Sequence, residues 1–285
     1  RHRVETTYGG VTVEVNKQHP WRMPKFVDRP VKDWATWKEY KKRLDPDTPE
    51  RYPADWAAYV ERMNATDAPT MLLLEGYFGP LREWTGLEEL IYLFYDEPDL
   101  VEDMMDQVLH LSLTMAKRVL KDLRIDCVRF WEDMAYRSGP LISPEMFKKF
   151  MTPRYQVITD YLRGEGIEIL HVDSDGDATE LIPLWLEVGV NFPWPLEVAA
   201  GMDAIALRKE YGRELILSGN IDKRVFLEGK DAIRHEVMSK VPYLMETGSY
   251  FPCLDHAVPP DVKLDDFRYY VNLLRDIGGL DKLPE

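Results

Sequence analysis

A histidine and three carboxylates stand close together in the stretch HVDSDGD, where an apolar run gives way to a helix-like pattern. They are His171, Asp173, Asp175 and Asp177. Because side chains alternate along an extended segment, His171 and Asp173 should share one face. Imidazole and carboxylate groups can transfer protons or bind a metal ion. We predict a functional site here, with at least one of the aspartates capping the helix that starts near Ala178.

Other predicted strands also end in polar residues. These residues are Glu132 and Asp133, Asn220 and Asp222, and Asp255 and His256. A second histidine at a strand end supports a shared metal or acid–base site. Glu132 and Asp133 are adjacent, so in an extended segment they point to opposite faces. One would enter the site, while the other capped a helix or paired with Arg129 or Arg137.

The elements that must position these residues alternate between strand and helix from residue 70 onward. Six short apolar stretches are predicted strands: TMLLLEGYF, DCVRFWED, IEILHVD, VNFPWPLE, ELILSGNID and SYFPCLDHA. Helix-like stretches with apolar residues at three- and four-residue spacing separate them, and LREWTGLEELIYLFYD is predicted as one helix. Strands that alternate with helices pair in parallel. The fold class is therefore α/β.

Two parallel architectures fit this alternation, a doubly wound sheet and a (β/α)8 TIM-type barrel. No predicted strand is followed by GxGxxG or GxxxxGK[ST], so a nucleotide-binding doubly wound sheet loses its main support. In a barrel, the carboxyl ends of all strands converge on one mouth, where active sites lie. The polar strand ends therefore favour the barrel, for which the N-terminal region offers only weak candidates for the first strand or strands.

The N-terminal region 1–68 differs from the predicted barrel region 69–285. TTYGGVTVEVN predicts a β-hairpin with Gly9 and Gly10 at its turn. The following segment is rich in proline, tryptophan and charge, and it predicts one short amphipathic helix. We expect this segment to wrap around the barrel.

Composition limits the classes of function. A net charge of −14 disfavours a nucleic-acid partner, because phosphate binding needs a basic face. No apolar run approaches the ~20 residues of a membrane span, and no secretory signal follows the first residues. The chain starts without methionine, which suggests a trimmed or partial sequence. Cys127 and Cys253 are predicted as buried thiols in a reducing cytoplasm.

Four motifs together resemble one known superfamily. They are FWEDMAYRSGPLISPEMFKKFMTPRY, GVNFPWPLE, LSGNIDKRVF and HAVPPDV. Their order and spacing resemble the uroporphyrinogen decarboxylase superfamily, which also contains zinc-dependent methylcobamide:coenzyme M methyltransferases. The resemblance covers about residues 70 to 276. It implies the same (β/α)8 barrel that the strand pattern favours.

The resemblance also implies a metal site. The methyltransferase branch binds zinc through His-x-Cys and a second cysteine, and the corresponding positions here are His171, Asp173 and His256. Zinc or another divalent ion could bind this set, with Glu132 as a fourth ligand or general base. The candidate catalytic residues are Glu132, Asp133, Asp175, His171 and His256. The candidates for contacting a cofactor are Trp194, Asn220, Asp222 and Tyr136.

The departures from the superfamily pattern leave three hypotheses. Decarboxylases carry an MRQAGR-type segment that holds the porphyrinogen carboxylates, and residues 1–70 contain nothing like it. The first hypothesis is a metal-assisted methyltransferase acting with a corrinoid protein or a methylated small molecule. The second is a uroporphyrinogen-type decarboxylase, and the third is a non-catalytic barrel that binds a tetrapyrrole or corrinoid protein. A homodimer is one assembly to consider.

Overall fold

A computed structural model describes residues 2–20 and 22–283. The chain divides into two compact units. Unit 1 extends to Glu132 and takes in Glu145–Glu168, whereas unit 2 consists of Asp133–Pro144 and the residues from Ile169 onward. Four residues of the predicted regions 1–68 and 69–285 lie outside the described residues: Arg1, Trp21, Pro284 and Glu285. That division into regions remains a prediction.

Unit 1 combines an antiparallel sheet with a pair of parallel strands. Its strands are β1 (His2–Thr6), β2 (Thr12–Asn16), β3 (Lys25–Asp28), β4 (Met71–Glu75) and β5 (Cys127–Trp131). Its helices are α1 (Trp34–Lys41), α2 (Trp56–Asn64), α3 (Gly79–Thr85), α4 (Leu87–Asp96), α5 (Pro98–Asp122), α6 (Pro144–Met146), which begins at the unit boundary, and α7 (Thr152–Gly164). A π-helical turn, Phe147–Met151, joins α6 to α7.

The predicted N-terminal hairpin is confirmed, because β1 and β2 pair antiparallel across a turn that includes Gly9 and Gly10. Val11, Val13 and Val15 alternate along the second strand and are buried together. A third strand, β3, pairs antiparallel with β2. The sequence did not predict β3, because its four residues are all exposed and carry no alternating pattern.

Two helices, rather than the one predicted, follow the hairpin. In α1, Asp33 and Thr36 form a capping box, in which the Asp33 side chain accepts from the Thr36 N–H at 2.8 Å. Trp37 of α1 is buried and stacks on Trp84 of α3 at 5.9 Å. The second helix, α2, is capped by the Asp55 side chain. The capping aspartates are the sequence signal for both starts.

The parallel pairing predicted for the first two barrel strands is confirmed within unit 1. In the register of β4 and β5, Leu73 faces Arg129 and Glu75 faces Trp131. The single helix predicted over residues 81–96 is wrong. It is divided into α3 and α4 at Gly86, whose φ of 99° lies outside the helical region.

Unit 2 continues the alternation of strand and helix. Its strands are β6 (Ala135–Tyr136), β7 (Gly139–Pro140), β8 (Ile169–Asp173), β9 (Phe192–Trp194), β10 (Leu217–Ser218) and β11 (Tyr250–Phe251). Its helices are α8 (Ile182–Glu187), α9 (Ala204–Tyr211), α10 (Lys230–Thr247) and α11 (Leu264–Ile277). Helical turns of the 3-10 type span Val198–Ala200 and Lys223–Leu227.

The last four predicted strands are confirmed as β8 to β11. Strand β8 pairs in parallel with β9, and β10 pairs in parallel with β11. The Ile216 N–H donates to the Asn191 carbonyl at 2.8 Å and so links the segments that lead into β9 and β10. Both units therefore have α/β organisation with parallel strand pairs.

Helices α10 and α11 pack through a buried apolar cluster that also involves the ends of β10 and β11. The cluster includes Ile221, Val237, Val241, Leu254 and Leu273. Ile221 and Leu254 of this cluster adjoin the polar residues Asn220, Asp222 and Asp255 in the sequence, so the cluster fixes the backbone at these positions. Among the described residues, no helix is both long enough and apolar enough to cross a membrane.

Candidate functional site

The Glu132 side chain is fully buried in unit 1 and serves as a hydrogen-bond acceptor for four groups. Its Oε1 accepts from the Tyr77 N–H at 2.8 Å, and its Oε2 accepts from Phe78 N–H at 2.6 Å and Gly79 N–H at 3.1 Å. The Tyr155 hydroxyl also donates to Oε1. Three consecutive backbone N–H groups at the start of α3 thus point at one carboxylate, the arrangement in which a helix N-terminus binds an anion.

Two glycines allow this close approach. A Cβ at Gly76 would collide with the Glu132 carboxyl group, and a Cβ at Gly79 would lie 2.7 Å from the Glu132 carbonyl oxygen. Burial raises the pKa of Glu132, although its four donors act in the opposite direction. Burial also raises the pKa of Tyr155 well above its ordinary value, so the phenol stays protonated and its O–H donates a hydrogen bond to the Glu132 carboxylate. These contacts hold the Glu132 carboxyl group in one place, and its roles as a metal ligand or general base remain predictions.

Glu75 is a site residue that the sequence reasoning missed. It ends β4 and lines two adjoining cavities of about 270 and 260 Å³, which we call the Glu75 cleft. Glu75 is exposed to solvent through the cleft, although protein atoms surround its carboxyl group on most sides. Desolvation by these atoms, together with the charges of Glu83 and Glu132, raises the pKa of Glu75 to about 7. Arg129 acts in the opposite direction. The available signal was a glutamate directly after the apolar run TMLLL.

In unit 2, His171 and Asp173 lie on one face of β8, as predicted from the strand period. Both are buried, with 6% and 7% of their surface exposed. The register with β9 places Phe192 opposite His171 and Trp194 opposite Asp173. The His171 ring packs edge-on against the Phe192 ring, with 4.6 Å between the ring centroids. The centroid of the Trp194 ring lies 6.2 Å from that of His171. This face therefore combines imidazole, carboxylate and aromatic groups.

Asp175 and His256 meet just beyond the strands. The Nε2 of His256 lies 3.6 Å from the Asp175 Oδ2, and both side chains are about half exposed. The His256 Nδ1 accepts a hydrogen bond from the Ala257 N–H at 2.8 Å. In neutral His256, the proton is therefore on Nε2, which faces the carboxylate. The structure thus brings together two of the predicted catalytic residues.

Further carboxylates surround this pair. Burial raises the pKa of Asp175, Asp133 raises it further, His256 lowers it, and Glu197 raises it. Asp133 has a φ of 45°, and its N–H donates to the Asp173 carbonyl at 3.0 Å. The Glu197 carboxylate accepts from the Gly176 N–H at 3.3 Å. The region is therefore electronegative.

The helix after β8 begins at Ile182, later than the predicted start near Ala178, and its N-cap residue, Leu181, makes no side-chain capping hydrogen bond. Asp177 Oδ1 accepts from the Thr179 N–H at 3.0 Å, so Asp177 is the aspartate that caps the turn leading to α8. Gly176 has a φ of 87°, and a Cβ there would lie 2.8 Å from the Tyr136 backbone. Tyr136 itself is 69% exposed, and its carbonyl accepts from the Asp177 N–H at 2.9 Å. The Tyr136 backbone thus holds the turn, and its ring remains accessible.

The other predicted cofactor contacts have structural partners. Asn220 is buried; its Oδ1 accepts from the Ala204 N–H at 3.0 Å, and its Nδ2 donates to two carbonyls. The Asp222 carboxylate accepts from the Arg224 side chain at 2.6 Å and caps the turn that follows. Asp255 is also buried, and its two oxygens accept from the backbone. These hydrogen bonds are all made within the protein, and contact of Asn220 and Asp222 with a cofactor remains a prediction.

The residues do not fit the zinc ion that the resemblance implies. Among residues 2–20 and 22–283, no three His, Cys, Asp or Glu side chains are arranged to hold a metal ion. His171, Asp173 and His256 all belong to unit 2, and they are not assembled into a ligand set there. The His256 Nδ1 is occupied by a backbone N–H, and aspartate stands where the superfamily has a thiolate.

The parallel strands and the polar residues at their carboxyl ends define an α/β protein of the kind that carries enzyme sites at strand ends. The family model described as uroporphyrinogen decarboxylase (URO-D) matches residues 10–277. The chain belongs to the uroporphyrinogen decarboxylase family, as the sequence motifs predicted.

Individual relatives carry two different descriptions. Uroporphyrinogen decarboxylases of Legionella pneumophila strains Paris and Corby are each 27% identical over 141 residues, which are 49% of this chain and 39% of each relative. The match thus spans well under half the length of these relatives. A solved methyltransferase from Methanosarcina mazei is 17% identical, with a TM-score of 0.60 over 90% of this chain and 72% of that chain. At this identity, the likeness shows a shared fold.

Proposed function

We propose that this chain is a small-molecule methyltransferase in which Asp175 accepts the proton of the methyl acceptor and His256 orients Asp175. The observation that carries this proposal is the contact between the Asp175 carboxylate and the His256 Nε2 beyond the strand ends, in an electronegative region. We further propose that the parallel strands belong to a (β/α)8 barrel and that the protein acts in the cytoplasm. The presence of Cys127 and Cys253 as thiols, the latter only partly buried, supports the cytoplasmic location.

The proton transfer follows from the tautomer of His256. An acceptor X–H loses its proton to the Asp175 carboxylate while X attacks the methyl carbon. The bond between that carbon and the methyl carrier breaks, and its electron pair stays on the carrier. Neutral His256 presents its Nε2–H to Asp175 and so orients the carboxylate before the transfer. The face formed by His171, Asp173 and Trp194 is the proposed surface for the carrier.

Charge favours methyl transfer over porphyrinogen decarboxylation. Asp133 and Glu197 both lie close enough to Asp175 to raise its pKa, and Lys223 Nζ lies 3.6 Å from a Glu197 oxygen. Uroporphyrinogen carries eight carboxylates, which such a region repels. A neutral or cationic methyl compound meets no such repulsion. A corrinoid protein is the proposed source of the methyl group.

Methyl transfer can be measured with methylcobalamin as donor and the neutral thiol 2-mercaptoethanol as acceptor, by following the absorbance change as the cobalt–carbon bond breaks. The wild-type protein should accelerate this change. Asp175→Asn should lower the rate about 100-fold or more, because general acid–base catalysis contributes at least that much. Asp177→Asn is the matched control and should retain activity, because Asp177 caps a turn.

The same proteins should release no carbon dioxide from uroporphyrinogen. Decarboxylation that persists in Asp175→Asn, without methyl transfer, would contradict the proposed function and favour the activity named for the Legionella relatives. Tight binding of cobalamin or porphyrin without turnover of either substrate would also contradict it, and would favour a non-catalytic binding protein.

A further inference from the structure

We propose that the Glu75 cleft of unit 1 binds an organic cation, in which an ammonium group is attached to an apolar body. The residues that form this site all belong to unit 1. The binding is independent of the methyl transfer proposed for unit 2.

The place where the two cavities of the cleft join carries two carboxyl groups. Five residues line both cavities and mark this junction: Tyr8, Leu73, Leu74, Glu75 and Glu83. They supply two acids, one aromatic ring and two aliphatic side chains. Such a combination matches a ligand that carries a positive charge next to an apolar group.

Each arginine of the cleft lines only one of its two cavities, so none is shared by both. Arg129 lines one cavity, and Arg43 and Arg51 line the other. The Arg43 Nη2 donates to the Tyr8 carbonyl at 2.6 Å, and Arg51 Nε donates to the Asp45 carbonyl at 2.8 Å. These two guanidinium groups hold the backbone of the cleft wall. The charges shared by both cavities are therefore those of the two glutamates.

Aromatic rings line both cavities. Tyr40 and Trp84 belong to one cavity and Trp131 to the other, while Tyr8 belongs to both. A cation is attracted to the face of an aromatic ring. Leu73 is 60% exposed at the junction, so a ligand that covered it would also gain from the burial of apolar surface.

The ionisation of Glu75 links binding to pH. Its pKa is raised to about 7 by burial and by Glu83 and Glu132, against the attraction of Arg129. Burial raises the pKa of Tyr40, which also lines the cleft, to about 12, so its phenol stays neutral in this range. A bound cation favours the ionised carboxylate and so displaces its proton. Affinity for a permanently charged cation should rise as the pH increases from about 6 to about 8.

Isothermal titration of the intact chain with benzyltrimethylammonium tests the site. The wild-type protein should bind this cation more tightly than benzenesulfonate, an anion of similar size. Glu75→Gln should bind the cation about tenfold more weakly at about pH 8 and should lose the pH dependence. Glu88→Gln, which removes a carboxylate that lines a different cavity, should bind as the wild type does.

Tyr8→Ala tests the aromatic part of the site without threatening the fold, because Tyr8 is 97% exposed. It should weaken the binding of the cation, whereas Tyr92→Ala, at a tyrosine of another cavity, should not. Equal or tighter binding of benzenesulfonate would overturn the proposal. Undiminished cation binding in both Glu75→Gln and Tyr8→Ala would overturn it as well.

Discussion

The Glu132 carboxylate is held by residues that are distant in the chain: its three backbone donors lie more than fifty residues before it, and Tyr155 lies 23 residues after it. Its oxygens accept from the N–H groups of Tyr77, Phe78 and Gly79, and from the Tyr155 hydroxyl. A carboxylate with these four donors is held in one orientation, and no donor is left unpaired as long as both oxygens accept. The backbone between β4 and α3 is fixed as a result.

Glu132→Gln should lower the free energy of unfolding by about 3 kcal/mol or more, because the new amide NH₂ would face buried N–H donors. Tyr155→Phe should cost less, about 1–2 kcal/mol, since it removes a single donor and keeps the ring. Urea unfolding followed by circular dichroism measures both losses. If Glu132→Gln abolished methyl transfer but left stability intact, this stability prediction would be contradicted and the predicted general-base role would be supported.

Residue roles could be predicted only where the evidence was local. The strand period placed His171 and Asp173 on one face of β8. The predicted aspartate cap belongs to a turn at Asp177, because α8 begins only at Ile182. By contrast, the donors to Glu132 come from a loop that the sequence pattern does not bring near it. Glu75 was missed for a similar reason, since its environment depends on Tyr8 and Glu83, which lie far along the chain or on another element.

At the scale of elements, the apolar periodicity was sufficient for the strands and for the long helix α5. The breaks between elements were harder to predict, because they depend on single backbone angles. The φ of Gly86 divides α3 from α4 inside one amphipathic pattern. The short edge strand β3 has no buried side chain, so it leaves no hydrophobic pattern to read.

The turn between β4 and α3 should tolerate no side chain at Gly76. Gly76→Ala should lower the free energy of unfolding by about 2 kcal/mol or more, because its Cβ would overlap the buried Glu132 carboxyl group. Gly164→Ala is the matched control, since a Cβ there meets nothing within 4 Å. It should be neutral or stabilising by about 0.5 kcal/mol. Thermal unfolding of the two variants measures the contrast, and equal midpoints would contradict it.

At the scale of the molecule, the N-terminal segment is tied to the long helix of unit 1. Trp37 Nε1 donates to Asp103 Oδ2 at 2.6 Å, and Lys41 Nζ lies 2.8 Å from the same carboxylate oxygen. The Arg118 guanidinium lies over the Tyr52 ring at 3.6 Å. These contacts join the segment to α5. That the segment wraps around a barrel, and that region 1–68 is distinct from 69–285, remain predictions.

Loss of the Trp37 contacts of this segment should lower the free energy of unfolding of unit 1. Trp37→Ala should cost about 3–5 kcal/mol, because a fully buried ring and its hydrogen bond are lost together. Trp34→Ala, one turn earlier on α1 and 36% exposed, should cost less than about 1 kcal/mol. Urea unfolding measures both. A small loss for Trp37→Ala would indicate that the segment folds separately from the rest of unit 1.

The close approach of Glu132 to Gly76 and Gly79 also sets how far one substitution can compensate for another. A Cβ at position 76 would meet both the Glu132 carboxyl group and, at 2.6 Å, the Trp131 carbonyl oxygen, whereas a Cβ at position 79 would meet only backbone atoms of Trp131 and Glu132. A shorter side chain at position 132 therefore removes part of the overlap at position 76 and none of it at position 79. A library that varies the three positions together should recover glycine at position 79 whichever residue stands at position 132.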